Sequence, residues 1–295
     1  MAKVSSGTKA ERFGFIDQYG SELGVRYLCS WFDVSPQGYY QWRDRSESNR
    51  AQENRKLASK IEAIYHENDG NYGSPRICAE LHRQGIYVNH KRVERIMREL
   101  GLVGKAAKLY RRHAAPERQF LKHPNLRLNM PTPSKVNEQW VGDVTYLKAN
   151  GELMYLAVVM DLYSRRILGW SLGSNRRATL TRAALLKALS HRKVKKGLIF
   201  HTDRGVEYGA NMFQDELASA GIKSSMNRPD SITDNIHMES FFRTLKTECY
   251  HGISFKNEHE LRSVLSYYLD NYYNTRRIHT SINNMAPVEY EKVAA

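Results

Sequence analysis

Two apolar runs, Trp140 to Leu147 and Leu153 to Met160, flank the dipeptide Asn150-Gly151, and this arrangement narrows the accessible folds more than any other stretch of the chain. Asn-Gly between β-rich runs is the strongest short-range signal for a hairpin, because both residues accept the positive φ of a tight turn. Arg166 to Leu172 predicts a third strand. Beyond it the pattern predicts a helix over 179–190, a short buried strand over 197–202, a helix over 212–220 and a strand over 223–226, with further helices starting at Asn235 and Asn257. Three strands in series followed by alternating helix and strand imply an α/β fold, a mixed five-stranded sheet with helices packed on it.

Acidic residues interrupt this apolar pattern at telling points. Asp143 sits inside Trp140-Val-Gly-Asp-Val-Thr-Tyr146, where an ionised side chain is costly unless a cation compensates it. Asp203, in His-Thr-Asp-Arg-Gly, follows the fourth predicted strand directly. Glu239 comes after 35 intervening residues, in the first turns of a helix whose Phe241, Phe242 and Leu245 can pack inward. Three hard oxygen donors from separate segments suit Mg2+, with Mn2+ as a substitute, and two such ions roughly 3.5–4 Å apart would serve phosphodiester chemistry. Arg243 and Lys246 follow Glu239 by four and seven positions, on its own face, and are candidate DNA contacts.

Charge points to the same class of substrate. Lys and Arg number 45 against 31 acidic residues, a formal net charge of +14, as expected of a polyanion binder. Residues 1–137 hold 24 basic and 14 acidic residues, so most of the excess lies there. That half reads as helices broken by turns. Ser21 to Phe32 has helical spacing, and Ser35-Pro36 offers an N-cap and a first-turn proline for the next helix, which is helix-turn-helix grammar. A long polar helix over 50–68, Ser74-Pro75 opening Arg76 to Arg83, and Asn89 capping His90 to Leu100 repeat the arrangement. Lys91, Arg92, Arg95 and Arg98 recur there at steps that can face one groove or phosphate ridge. From Lys105 to Arg127, seven basic residues, among them Lys108, Arg111 and Arg112, accompany the lone Glu117, as in an extended basic linker that lies along a phosphate backbone. The implied domains are a helix-turn-helix-like module over 1–50, a second DNA-binding one over 51–104, the linker over 105–137, and a catalytic core with a C-terminal helix over 138–295.

Several strings carry a resemblance. Trp140-Val-Gly-Asp-Val-Thr, Tyr155-Leu-Ala-Val-Val-Met-Asp-Leu-Tyr-Ser-Arg165 with Gly169-Trp170, His201-Thr-Asp-Arg-Gly-Val-Glu-Tyr208, and Asp234-Asn235 through Glu239-Ser-Phe-Phe-Arg-Thr-Leu-Lys246 are similar to the integrase core of bacterial insertion-sequence transposases. Val34-Ser-Pro-Gln-Gly-Tyr-Tyr-Gln-Trp42, Tyr72-Gly-Ser-Pro-Arg-Ile77 and Tyr273-Asn-x-x-Arg277-x-His279 extend the likeness to the second-reading-frame (OrfB) product of the insertion-sequence-three family. Members are relatives of retroviral integrases with a ribonuclease-H-like fold. The resemblance implies an Asp-Asp-Glu (DDE) site at Asp143, Asp203 and Glu239, with Lys246 at the family's basic position. It implies DNA strand cleavage and transfer at transposon terminal inverted repeats and at target DNA, a homo-oligomer when two ends are paired, and fusion to a first-reading-frame product. Asp230 stands where the family usually has glycine, so the loop before the Glu239 helix is expected to be altered slightly.

Other residues invite competing readings. Asp161 is expected to cap a turn or pair with arginine rather than bind metal. Asp234 is expected to cap the helix of Glu239, and Glu207 and Glu248 to be solvated. His201 either orients Asp203, contacts DNA or is a satisfied strand-end histidine, while Tyr267, Tyr268, Tyr272 and Tyr273 read as helix packing. His201-Thr-Asp-Arg204 also matches the His-x-x-Arg pattern of tyrosine recombinases, a rival that leaves the acidic trio unexplained. A catalytically silent DNA-binding regulator is a further alternative. Cys29, Cys78 and Cys249 are too scattered for a disulfide framework or a zinc site. With no apolar signal region and no run long enough to cross a bilayer, the chain is expected to be cytoplasmic, nucleoid-associated and without a membrane partner.

Overall fold

A computed structural model of the chain describes residues 7–46, 48–105, 123–228 and 232–293. Lys108, Arg111, Arg112 and Asp230 lie outside them. The chain divides into two compact units, Met1–Lys60 and Ile61–Ala295.

The first unit is helical. α1 (Lys9–Leu23) starts at a capping box, in which the Thr8 hydroxyl accepts from the Glu11 N–H while the Glu11 carboxylate accepts from the Thr8 N–H. The single helical stretch expected from Ser21 to Phe32 is instead the end of α1 and a separate α2 (Val25–Trp31). Gly24 between them adopts φ +89°, outside the helical region, and only glycine does so at little cost. α3 (Pro36–Arg43) begins as expected, its Ser35 hydroxyl accepting from Gly38 N–H at 3.0 Å. Phe13, Ile16, Leu28, Cys29, Phe32 and Tyr39 form the core of this unit. α4 (Asn49–Glu67) runs across the boundary between the units.

The second unit holds α5 (Ser74–Arg83), α6 (His90–Glu99) and a five-stranded sheet. Its strands are β1 (Gln139–Ala149), β2 (Glu152–Asp161), β3 (Ile167–Gly173), β4 (Ile199–Thr202) and β5 (Lys223–Met226), in the spatial order β3-β2-β1-β4-β5. The expected hairpin is present: Asn150 and Gly151 both have positive φ, and β1 pairs antiparallel with β2 from Trp140 opposite Asp161 to Ala149 opposite Glu152. β2 and β3 are antiparallel, whereas β1, β4 and β5 are parallel, so the sheet is mixed.

Helices cover both faces. On one, α7 (Ala178–His191) and α8 (Asn211–Ser219) bury Leu185 and Phe213 against Trp140, Val159 and Phe200. Gly169 permits the close approach of α7, since a Cβ there would meet the Ala184 carbonyl oxygen at 2.2 Å. On the other face, α9 (Ile236–Leu245), α10 (Glu258–Ser266) and the π-helical turns Lys246–Tyr250 and Tyr267–Tyr273 bury their apolar side chains against Val141, Leu147 and Val158. Tyr268, Tyr272 and Tyr273 belong to this core, as expected, while Tyr267 is exposed. No helix among the described residues is long and apolar enough to cross a membrane.

Candidate active site

β4 is short, and its pairing with β1 ends at Val141 opposite His201. Continuing that parallel register by two residues brings Asp203 level with Asp143, and the Asp203 charge acts on the Asp143 carboxyl. Both carboxyls titrate above the ordinary aspartate range, chiefly because burial disfavours the charged form; the Asp203 charge raises Asp143 further, and Glu207 adds to both. The Val144 N–H donates to Asp143 Oδ1 at 2.7 Å and the Gly205 N–H to Asp203 Oδ1 at 3.0 Å, fixing one oxygen of each. The Asp203 side chain is 34% exposed, so the pair opens to solvent on one side.

Beyond Val141 the β4 side of β1 is an open edge, and α9 with the turn after it lies along that edge. Asn235 donates through Nδ2 to the Gly142 carbonyl at 3.2 Å, and the Lys148 N–H donates to Tyr250 Oη at 2.7 Å. Lys246 places its ammonium 4.7 Å from the centre of the Tyr146 ring; burial lowers its pKa while the Asp143 charge acts in the opposite sense. Asn235, Glu239 and Lys246 are spaced by four and seven residues, so Glu239 occupies the helix flank that Asn235 and Lys246 turn toward β1. Among the described residues, however, no three Asp, Glu, His or Cys side chains are gathered closely enough to hold an ion. Asp143 and Asp203 come together; Glu239 stands on the facing helix without completing a three-carboxylate cluster.

The donor chemistry fits a hard divalent cation. Both carboxyls are half-buried and raised above the ordinary aspartate range, Asp143 by burial and the Asp203 charge, Asp203 by burial and the Glu207 charge, and such hard oxygen donors suit Mg2+ or Mn2+. The guanidinium nearest to them, Arg176, lies 3.5 Å from Asp203 Oδ2 and spends its closer contact, 2.7 Å, on Glu207. Arg176 had no signal in the sequence pattern. Glu207 is buried rather than solvated, because it counters Arg176 and lies against Gly205, where a Cβ would come within 2.5 Å of its Oε1. Tyr208 is buried alongside, its hydroxyl held neutral by burial and by the negative field of Asp143.

The remaining acids and His201 are occupied elsewhere. Asp161 is fully buried and caps the β2–β3 turn, accepting from the N–H groups of Asn137, Tyr163 and Ser164. Asp234 accepts from Asn125 Nδ2 at 2.8 Å and the Arg228 N–H at 2.9 Å; the N-cap of α9 is Asn235, which makes no side-chain cap bond. Glu248, expected to be solvated, is buried and accepts two 2.7 Å bonds from Arg277 and one from Tyr268 Oη. His201 is the satisfied strand-end histidine: its ring nitrogens bond Ser225 Oγ and Asn227 Oδ1 at 2.8 Å, and burial pushes its pKa down to about 4. Arg204 donates through Nε to the Asn227 carbonyl, so the His-x-x-Arg pair is engaged structurally. The segment from Tyr273 to His279 is likewise structural. Asn274 bonds both the N–H and the C=O of Ile167 at 2.9 Å, and Ile278 N–H donates to Tyr72 Oη at 3.0 Å.

On α6, Asn89 caps the helix by accepting from Lys91 N–H at 2.8 Å. Lys91, Arg95 and Arg98 are exposed on one face, with Arg95 paired to Glu99 and Arg98 to Glu94; Arg92 is half-buried beside them. Arg243 is exposed at the next turn after Glu239.

Comparison with known proteins agrees in both halves. Residues 133–231 and 239–294 match the integrase core domain family, and residues 51–110 match an HTH-like domain. The chain is 36% identical over 248 residues to the transposase for insertion sequence element IS904 of Lactococcus lactis, covering 84% of this chain and 98% of that one. It is 33% identical over 287 residues to transposase InsF for insertion sequence IS3A of Escherichia coli, covering 95% and 98%. Among solved structures, the simian T-cell lymphotropic virus intasome with the PP2A regulatory subunit B56 gamma aligns over 79% of this chain and 74% of that one, with TM-score 0.47 and 18% identity.

Proposed function

Because the chain belongs to the insertion-sequence-three family of bacterial transposases, of the second-reading-frame (OrfB) type, we propose that it binds the ends of its element and cleaves and joins DNA strands through Asp143, Asp203 and Glu239. The observation that carries this reading is the juxtaposition of Asp143 and Asp203 where β4 leaves β1. The integrase core family is metal-dependent. Two Mg2+ ions, or Mn2+ in their place, held by the three carboxylates, would supply when bound the Lewis acidity that activates an attacking oxygen and steadies the leaving one.

The chain's own groups do the rest. Asp143 and Asp203 are held in place by backbone N–H donors, so they need little reorganisation when DNA arrives. Glu239 is the member that must swing in, from a flank anchored to β1 by Asn235. Lys246, close to Asp143, and Arg243, one turn beyond Glu239, would grip the phosphates on either side of the scissile bond. Water is the nucleophile for cleavage and a DNA 3′-hydroxyl for joining, with no protein-linked intermediate.

The same reading assigns 1–50 and 51–104 to recognition of the terminal inverted repeats, with Lys91, Arg92, Arg95 and Arg98 on phosphates. Within the 105–137 linker, Lys108, Arg111 and Arg112 track the DNA backbone, while Asn125, Leu126 and Arg127 are bonded to the core through Asp234, Ser225 and Gln139, and 138–295 carry out catalysis on terminal and target DNA. Pairing two ends calls for a homo-oligomer, with a first-reading-frame product as partner, working at the bacterial nucleoid.

Duplexes carrying the element's ends test the reading. Asp203→Asn should reduce Mg2+- or Mn2+-dependent cleavage by at least a thousandfold while leaving end binding in place. A covalent protein–DNA adduct formed without metal would reject the mechanism in favour of a tyrosine recombinase. Footprinting of the inverted repeats with no strand transfer by the wild type would favour the silent regulator.

A further inference from the structure

A cavity of about 320 Å3 lies along α9 away from Glu239. Met238, Phe241, Phe242 and Leu245 form the buried stripe of this helix. Asn235, Glu239 and Lys246 flank the stripe on one side, and His237, Ser240 and Thr244 flank it on the other. That second flank lines the cavity, opposite Arg165 of the β2–β3 turn and the guanidinium groups of Arg76 and Arg277.

The cavity has more positive charge than its surroundings neutralise. Arg277 is committed to Glu248, and Arg76 lies 3.6 Å from the same carboxylate, so one acid serves two guanidinium groups. Arg165 forms no ion pair with a described residue, the Asp161 carboxylate acting on it only at a distance, and its Nη1 is buried with no hydrogen-bond partner. Burial and the nearby arginines keep His279 neutral, so its imidazole adds hydrogen-bonding capacity without competing charge. A buried cationic group without a partner is costly, and a tetrahedral oxyanion satisfies it with charge-assisted bonds. Ser240 and Ser281 are exposed at the mouth, so the ligand can continue outward rather than being enclosed.

We propose that this cavity binds a phosphate group, that Arg165 is its principal contact, and that the phosphate belongs to the backbone of a DNA strand lying on the side of α9 away from the acidic site. The choice of DNA rests on the transposase reading, whereas the phosphate chemistry does not. Such a contact would hold α9 from behind while Glu239 engages the scissile strand.

The full chain can be tested in metal-free buffer, where catalysis plays no part. Anisotropy of a labelled terminal-repeat duplex should show affinity falling about tenfold for Arg165→Ala, with the slope of log K against log salt reduced by about one. Ser281→Asp, at an exposed position that leaves the core intact, should weaken binding in the same direction by placing a carboxylate at the mouth. Inorganic phosphate, compared with chloride at equal ionic strength, should raise the melting temperature of the wild type more than that of Arg165→Ala. If both folded variants bind duplex with wild-type affinity and slope, the DNA assignment is overturned. If phosphate also fails to distinguish Arg165→Ala from the wild type, the phosphate site is overturned as well. Loss of cleavage chemistry in the wild type would count against the acidic site only, since none of these measurements requires turnover.

Discussion

Asp143 is the residue on which sequence and structure speak most directly to each other. An aspartate in an apolar run signals an uncompensated charge, and the structure supplies the reason it stays so: β4 stops pairing with β1 two residues earlier, leaving Asp143 and Asp203 side by side at the divergence. Asp143 has a pKa above 3.8 in the folded state, so the folded chain binds that proton more tightly than the unfolded one. Without metal, stability should therefore decline as pH rises from the ordinary carboxylate range toward neutrality. Asp143→Asn should remove part of that decline and raise the neutral-pH melting temperature in EDTA by a few degrees, as read by circular dichroism. An unchanged pH dependence would contradict the burial and negative field that raise the Asp143 pKa. Legibility at this scale was uneven. Asp143, Asp203 and the cap at Asn89 announce themselves by position, but Arg176 and Glu207 acquire their roles through a contact across 31 residues that no local pattern encodes.

At the scale of elements, the strands and most helices were legible because hairpin turns, caps and apolar periodicity act over a few residues. The β1–β2 hairpin and the starts of α3, α6 and α10 follow directly from Asn150-Gly151, Ser35, Asn89 and Asn257. The split between α1 and α2 was not, because a glycine inside a helical pattern is tolerated as often as it breaks the helix, and only its φ decides. Nor was the environment of Glu248, which depends on how the π-helical turn after α9 meets Arg277. Both side chains of that pair are 4% exposed, and Tyr268 completes the carboxylate's hydrogen bonds. Removing one partner strands the other charge, so Glu248→Ala should cost about 3–5 kcal/mol in chemical denaturation. The exposed pair on α6 offers the contrast: Glu99→Ala should change stability little. Equal effects from the two substitutions would mean that the buried pair does not anchor the segment from Tyr273 to His279.

For the whole molecule, the sheet order β3-β2-β1-β4-β5 carries Asp143 and Asp203 to one notch beside β1, and the excess of cationic residues suits a nucleic-acid substrate. On the proposed three-carboxylate reading, Asp143 and Asp203 already lie together while Glu239 stands on the neighbouring helix, so the complete site is expected to form only with metal and DNA together. Diffraction from crystals of the full chain bound to a terminal-repeat duplex and Mn2+, recorded at the manganese absorption edge, would test this most directly. The anomalous peak should lie between Asp143 and Asp203, with a Glu239 carboxylate oxygen in the same coordination shell. A peak elsewhere, or an ion between the two aspartates that Glu239 does not approach, would contradict the three-carboxylate account.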